Sequence, residues 1–301
     1  MAVRLLGSWA PRLRFGGASP GLLSDLLTHF NDSNRLTLDQ LSACCGAFRH
    51  SALTECVFLM TRALRLDPLV GFSALEIVER FMVQHLQDLF TTSPRGPAGD
   101  YQDLLFEKLR DKFPLTVFSC VQISSKLWLH SEMIDNNTAV QFLHSMGLTV
   151  SKKALMASEL EILKGLHFNL NVPNPLSYVE VLLEVLGHNE SSTPVEPLYD
   201  VCVHVLQLAC LQRTSIYQSL LQITVQSLSP TPEQREKFLT VTADCMLLAT
   251  GVITVATVVL KVRRWEQVVE ELVHITGISW RSIGDLSQVM LEHITGNTSP
   301  V

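Results

Sequence analysis

The chain has 301 residues, of which 47% are hydrophobic and 17% charged, and its mean hydropathy is +0.24. That apolar content builds a sizeable core without disulfides or metal, which excludes wholesale disorder. The 23 Lys and Arg against 29 Asp and Glu leave a net charge of −6, the wrong sign for a chain whose main work is gripping phosphate backbones, although a local basic patch stays compatible with it.

In chain order, residues 1–24 contain Arg4, Arg12 and Arg14 and no acid before Asp25. Such a composition also occurs in mitochondrial transit peptides. Pro11, Gly16, Gly17 and Pro20 interrupt any amphipathic helix there, so a disordered leader is expected. From Leu53 to Leu66 and again from Phe72 to Phe90, apolar residues recur at helical spacing. In the second stretch Ala74, Ile77, Val78, Phe81, Met82, Leu86 and Leu89 share one face, opposite Glu76, Glu79, Arg80 and Gln84. Asp67-Pro68 separates the two, because proline disfavours helix at the residue before it. The Pro/Gly-rich Thr92 to Gly99 reads as a spacer. Its Gly96-x-x-Gly99 lacks the strand–turn–helix context of a phosphate loop.

Leu115 to Leu129 is apolar nearly all round, with Ser119, Cys120, Ser124 and Ser125 among its large residues. A helix enclosed by others reads this way, the small residues permitting close approach. Ser151 to His167 is the next helix, stopped by Pro173 and Pro175. Leu176 to Leu186 follows, with Gly187 as its expected cap. His188 to Pro197 is a polar linker, and Thr231-Pro232-Glu233-Gln234 has the pattern of a capping box with proline at the first helical position. Leu198–Leu211, Ala243–Val259, Trp265–Gly277 and Ser282–Thr295 complete an all-α chain. The uncharged run Cys245 to Leu260 is shorter than the ~20 residues that span hydrocarbon, and it predicts a buried core helix.

Chemistry-bearing patterns are scarce. The ten histidines never pair as H-E-x-x-H or with cysteine at zinc spacing. No G-x-S-x-G, Walker loop or kinase signature occurs. Glu270 and Glu271 are adjacent, but neighbours on a helix diverge by roughly 100°, so they read as a solvated face. Seven cysteines, an odd number with no C-x-x-C, lie mostly in apolar stretches and suit a reducing compartment. Lys261, Arg263 and Arg264 beside Trp265 read first as solubilising charge that suits a helix C-terminus, and second as a contact for phosphate or an acidic partner. The expectation is a protein that binds rather than catalyses, without cofactor, metal, membrane or small-molecule substrate.

Three helix texts, in order, resemble the cyclin box. Glu79-Arg80-Phe81-Met82 resembles its D-R-F-L, Ser124-Ser125-Lys126 the A-S-K closing its third helix, and Ser158 through Leu170, followed by Pro173, the M-E-x-x-[IV]-L-x-x-L-x-F-x-L…P-T of its fifth. The resemblance implies two tandem cyclin-like helical domains. Residues 1–34 would be a disordered leader running into a first helix, 35–172 the N-terminal cyclin box, 173–296 a C-terminal cyclin-like domain joined near 171–175, and 297–301 a tail. In that second domain 212–242 would be an insertion.

It further implies a non-catalytic regulator or adaptor for a cyclin-dependent-kinase-like partner or for meiotic recombination proteins, acting in the nucleus on crossover maturation. By the same resemblance Lys126 and Glu159 contact the backbone around the kinase's regulatory helix. Ile123, Leu127, Leu163, Phe168 and Leu170 supply the apolar surround. The residues themselves also permit Lys126 and Glu159 simply to pair with each other over a packed core. Arg49 to Leu53 does not reproduce the substrate-docking M-R-A-I-L, and no acidic pair follows Lys126.

Overall fold

A computed structural model describes residues 15–41, 46–92, 99–129, 133–170 and 172–296, with backbone alone for 89–92 and 99–108. The described residues form helices and no strand. The first, α1 (Pro20–Asp39), begins at a proline that the sequence suggested would interrupt helix. Proline is tolerated there because its missing N–H would have no intrahelical partner anyway. The expected disorder therefore does not hold for the described part of the leader, 15–24, and α1 stands where a first helix was expected to enter. The backbone N–H of Phe15 donates to Glu196 (3.2 Å), and those of Gly16 and Ala18 to Glu184 (2.8 and 3.0 Å). A boundary at 34/35 falls inside α1; residues 1–14 and the 297–301 tail lie outside the described residues.

Next come α2 (Ser51–Ala63) and α3 (Pro68–Thr92). Asp67 Oδ1 accepts the N–H of Leu69 at 2.8 Å, so the Asp-Pro pair opens α3. α2 has already ended at Ala63, short of the expected Leu66. α4 (Gly99–Trp128) contains Pro114 in its interior, so it starts well before the expected Leu115. Strong helix formers between 104 and 112 outweigh the single lost hydrogen bond. The spacer 93–98 lies outside the described residues. α5 (Asn136–Ser145), which hydrophobic spacing did not announce, is started by Asp135, whose carboxylate accepts the N–H groups of Asn137 and Thr138. Those bonds hold the Asp135 carboxyl below its usual pKa.

α6 (Lys152–Gly165) and α7 (Pro175–Asn189) flank the junction, of which Asn171 is not among the described residues. α7 runs past Gly187, correcting its assignment as a cap. A Cβ on Gly187 would stand 3.0 Å from Val195 Cγ1, so this glycine is there for close approach. The chain closes with α8 (Val195–Leu211), α9 (Arg213–Val225), α10 (Pro232–Ala243), α11 (Cys245–Val259), α12 (Trp265–Thr276) and α13 (Trp280–Thr295). Thr231 and Gln234 make the expected reciprocal capping box.

Two hydrophobic clusters lie on either side of the junction. The first is built by α2 to α6 around the C-terminal half of α4, where Phe118, Ser119, Cys120, Val121, Gln122 and Ser124 are fully buried. The small polar residues there are all engaged: Ser124 Oγ donates to the Val70 carbonyl (2.9 Å), and Ser119 bonds Ser158 (2.9 Å). The second cluster gathers α1 and α7 to α13 around α11, which is buried from Met246 to Thr257. Phe72 of α3 belongs to it as well. Stretch 212–242 is no mere appendage, because Ile216, Tyr217, Leu220 and Leu221 of α9 sit in this core. Among the described residues no single helix is long and apolar enough to cross a membrane.

Candidate partner interface

The Glu79-Arg80-Phe81 run of α3 positions the end of α6. Glu79, buried, accepts the N–H groups of Gly46 (2.5 Å) and Phe48 (2.9 Å), anchoring the approach to α2. Arg80 Nη2 donates to the Asn169 carbonyl at 2.9 Å. Burial lowers the Arg80 pKa and neighbouring Glu76 partly offsets this. Phe81 packs where a Cβ on Gly165 would come within 2.8 Å of its ring. Only glycine lets α6 sit this close to α3.

The turn that leaves α6 is consequently fixed in an unusual shape. His167 N donates to the Lys164 carbonyl (3.0 Å) and Phe168 N to the Leu163 carbonyl (2.8 Å). That is a Schellman closure with histidine where glycine is usual. His167 and Phe168 both have left-handed φ, +51° and +58°. Such a conformation in a bulky residue is uncommon. The turn holds Phe168 outward, 64% exposed.

Earlier in the same helix pair, Lys126 at the end of α4 meets Glu159 of α6, Nζ to Oε1, at 2.5 Å. Lys126 is 36% exposed and Glu159 12%. Among the described residues neither makes a second hydrogen bond, so the ammonium keeps donors and the carboxylate an acceptor for a partner's backbone. Leu127, Met156 and Leu160 are exposed apolar residues on the same two helices. Leu163 and Leu170 are half-buried against the first cluster. Ile123, placed by resemblance among the contact residues, is 4% exposed inside that cluster and offers a partner little surface. Trp128 is partly exposed and its indole N–H donates to Ser73 Oγ at 3.0 Å. Met156, Leu160 and Arg80 were not singled out for this face: a lone exposed Met or Leu carries no sequence signal, and Arg80 acts through a carbonyl 89 residues away.

A cleft of about 600 Å³ between the two halves is lined by Asn34, Arg49, Glu76, Arg80, Arg213 and Asp244, among others. Its charges are engaged internally. Arg49 pairs with Glu76 (2.6 Å), Arg213 donates to the Thr242 carbonyl, and Asp244 accepts from Asn34 Nδ2 (2.9 Å) and from Leu247 N (2.9 Å). Each of these contacts stays within one half of the molecule. Among the described residues no group of three His, Cys, Asp or Glu stands close enough to hold a metal ion.

No family model matches the chain. It is 37% identical over 305 residues to the mouse protein named cyclin N-terminal domain-containing protein 1, covering 98% of this chain and 91% of that one. The human protein of the same name is 37% identical over 292 residues, 95% of this chain and 88% of that one.

Proposed function

Because the chain belongs to the family of cyclin N-terminal domain-containing protein 1, we propose that it is a non-catalytic regulatory subunit. Its α4–α6 face binds a cyclin-dependent-kinase-like partner, and each of its two cores is a cyclin-like fold. The observation that carries this reading is the Lys126–Glu159 pair, 2.5 Å apart with its lysine end partly exposed, on the two helices that also present exposed Leu127, Met156 and Leu160. A dry apolar surround with a charged pair at its edge gives an interface both adhesion and register. In keeping with the family resemblance, the setting is the nucleus of meiotic cells and the process is crossover maturation.

The test is co-purification with a panel of cyclin-dependent-kinase-like proteins, using Leu160→Asp and Phe168→Asp. Both side chains are exposed, so melting stays close to that of the parent. A charge placed in the dry centre of an interface weakens binding about tenfold or more. Capture of meiotic recombination factors by the same face, with no kinase bound, would replace the kinase reading. Binding of a kinase undiminished in both variants would move the interface elsewhere.

A further inference from the structure

On the far half of the molecule, the ends of α11, α12 and α13 bring together a second surface. Trp265 and Trp280 are the first residues of α12 and α13, and their rings lie 6.3 Å apart at 35°. They are 37% and 41% exposed, next to exposed Val259 and Leu260. Tryptophans normally supply core area, and two side by side at the surface are costly to leave in water.

Four cations frame them. Lys261, Arg263 and Arg264 precede Trp265, and Arg281 follows Trp280. Lys261, Arg263 and Arg264 are exposed and form no ion pair among the described residues, while Arg281 reaches Asp285 at 3.7 Å. Lys261 and Arg264 both adopt positive φ (+51° and +63°), a backbone shape that folds this basic turn compactly. Arg264 also occupies the N-cap of α12, with no side-chain hydrogen bond closing that helix start. The Gln267 N–H is met by the Arg264 carbonyl and Glu266 already lies in the first turn, so the attraction for an anion comes from the three free cations clustered at this helix start.

We propose that this surface is a docking site for a short acidic peptide segment bearing aromatic or aliphatic residues, separate from the α4–α6 face. The carboxylates would meet the Lys261–Arg264 turn and the start of α12, and the apolar side chains would lie on the two indoles. Trp and Arg are the residue types that dominate binding energy at protein interfaces. Charge decides against a polyanion as the occupant. A nucleic acid strand needs a continuous cationic track, whereas here the cations are clustered within a few residues on a chain of net charge −6. An acidic bilayer would bring the acidic remainder of the chain as well as this cluster against its charge, whereas a short segment meets the cluster alone.

The experiment is a fluorescence-anisotropy titration of the full chain with a short labelled peptide of alternating glutamate and phenylalanine. Parallel arms use its lysine-for-glutamate counterpart, oligo-dT, and vesicles of phosphatidylserine and phosphatidylcholine. The expected result is saturable binding of the acidic peptide that weakens with salt and falls about tenfold or more in Arg263→Glu/Arg264→Glu and in Trp265→Ala/Trp280→Ala. Trp265→Phe/Trp280→Phe retains part of it, and circular-dichroism melts check that each variant is folded. The proposal is overturned by no saturable binding, by equal binding of the basic peptide, or by tighter binding of oligo-dT or vesicles that the same variants abolish.

Discussion

Reversing Lys126 to glutamate removes an ion pair and sets two carboxylates against each other. Exposed pairs are worth about 0.2–1 kcal/mol, and breaking a buried one costs about 3–5 kcal/mol. With one partner 36% exposed and the other 12%, the loss falls between, at about 1–3 kcal/mol. For a chain of this size that lowers the melting temperature by roughly 2–5 °C. Glu159→Lys does the same, and the double swap recovers most of the loss because the 2.5 Å contact can re-form with the charges exchanged. Binding of the proposed kinase-like partner behaves differently: a partner backbone that matched the original order meets the wrong sign, so the swap restores melting and leaves binding lost. The assays are thermal melts beside quantitative pull-downs for both singles and the swap. Singles that melt like the parent would refute the internal pair, and recovery of binding together with stability in the swap would refute its role in recognition.

Two further outcomes follow from packing. Gly251 lies within α11, and a Cβ there would stand 2.9 Å from Leu286 Cδ2. Overpacking of about 1–3 kcal/mol outweighs the ~1 kcal/mol gain in helix propensity, so Gly251→Ala destabilises; denaturant melts should show the same change becoming neutral or favourable in a Leu286→Ala background. Burial pushes the Cys210 thiol up to about 11 and that of Cys245 to about 12, and raises those of Cys120 and Cys202 as well. Site-resolved mass spectrometry at neutral pH should therefore find these four slow to alkylate until the chain is unfolded, slowest at Cys120 and Cys202, and rapid native labelling of either of those two would contradict their burial.

The helices were legible where apolar residues repeat without interruption, as between Phe72 and Phe90, and where local chemistry is unambiguous, as at Thr231 and Gln234. Elements were misjudged where one residue serves two physical roles. Pro20 and Pro114 signal a break by composition, yet one opens a helix and the other is absorbed by it. Gly187 suits both a cap and a close approach, and only Val195 settles which. On the candidate face, motif order picked out Lys126 and Glu159, which the fold brings into contact with each other. The burial of Ile123 and the grip of Arg80 on Asn169 depend on what packs around them, which no local pattern records. The meeting of Trp265 and Trp280 is likewise a matter of how α12 and α13 cross.

The contacts that hold the start of the chain also set a timetable for synthesis. Phe15 is bonded to a carboxylate 181 residues further on, and Asn34 to one 210 residues on. Ribosomes add about 5–20 residues per second, so the wait for Glu196 is roughly 10–40 s. Through that interval Phe15, Leu23 and Phe30, all core residues in the finished molecule, have no native surface to cover them. The first half can meanwhile close its own cluster from α2 to α6. α1, the first of the described helices, is thus among the last to find its place, and during that interval its apolar face is open to chaperones.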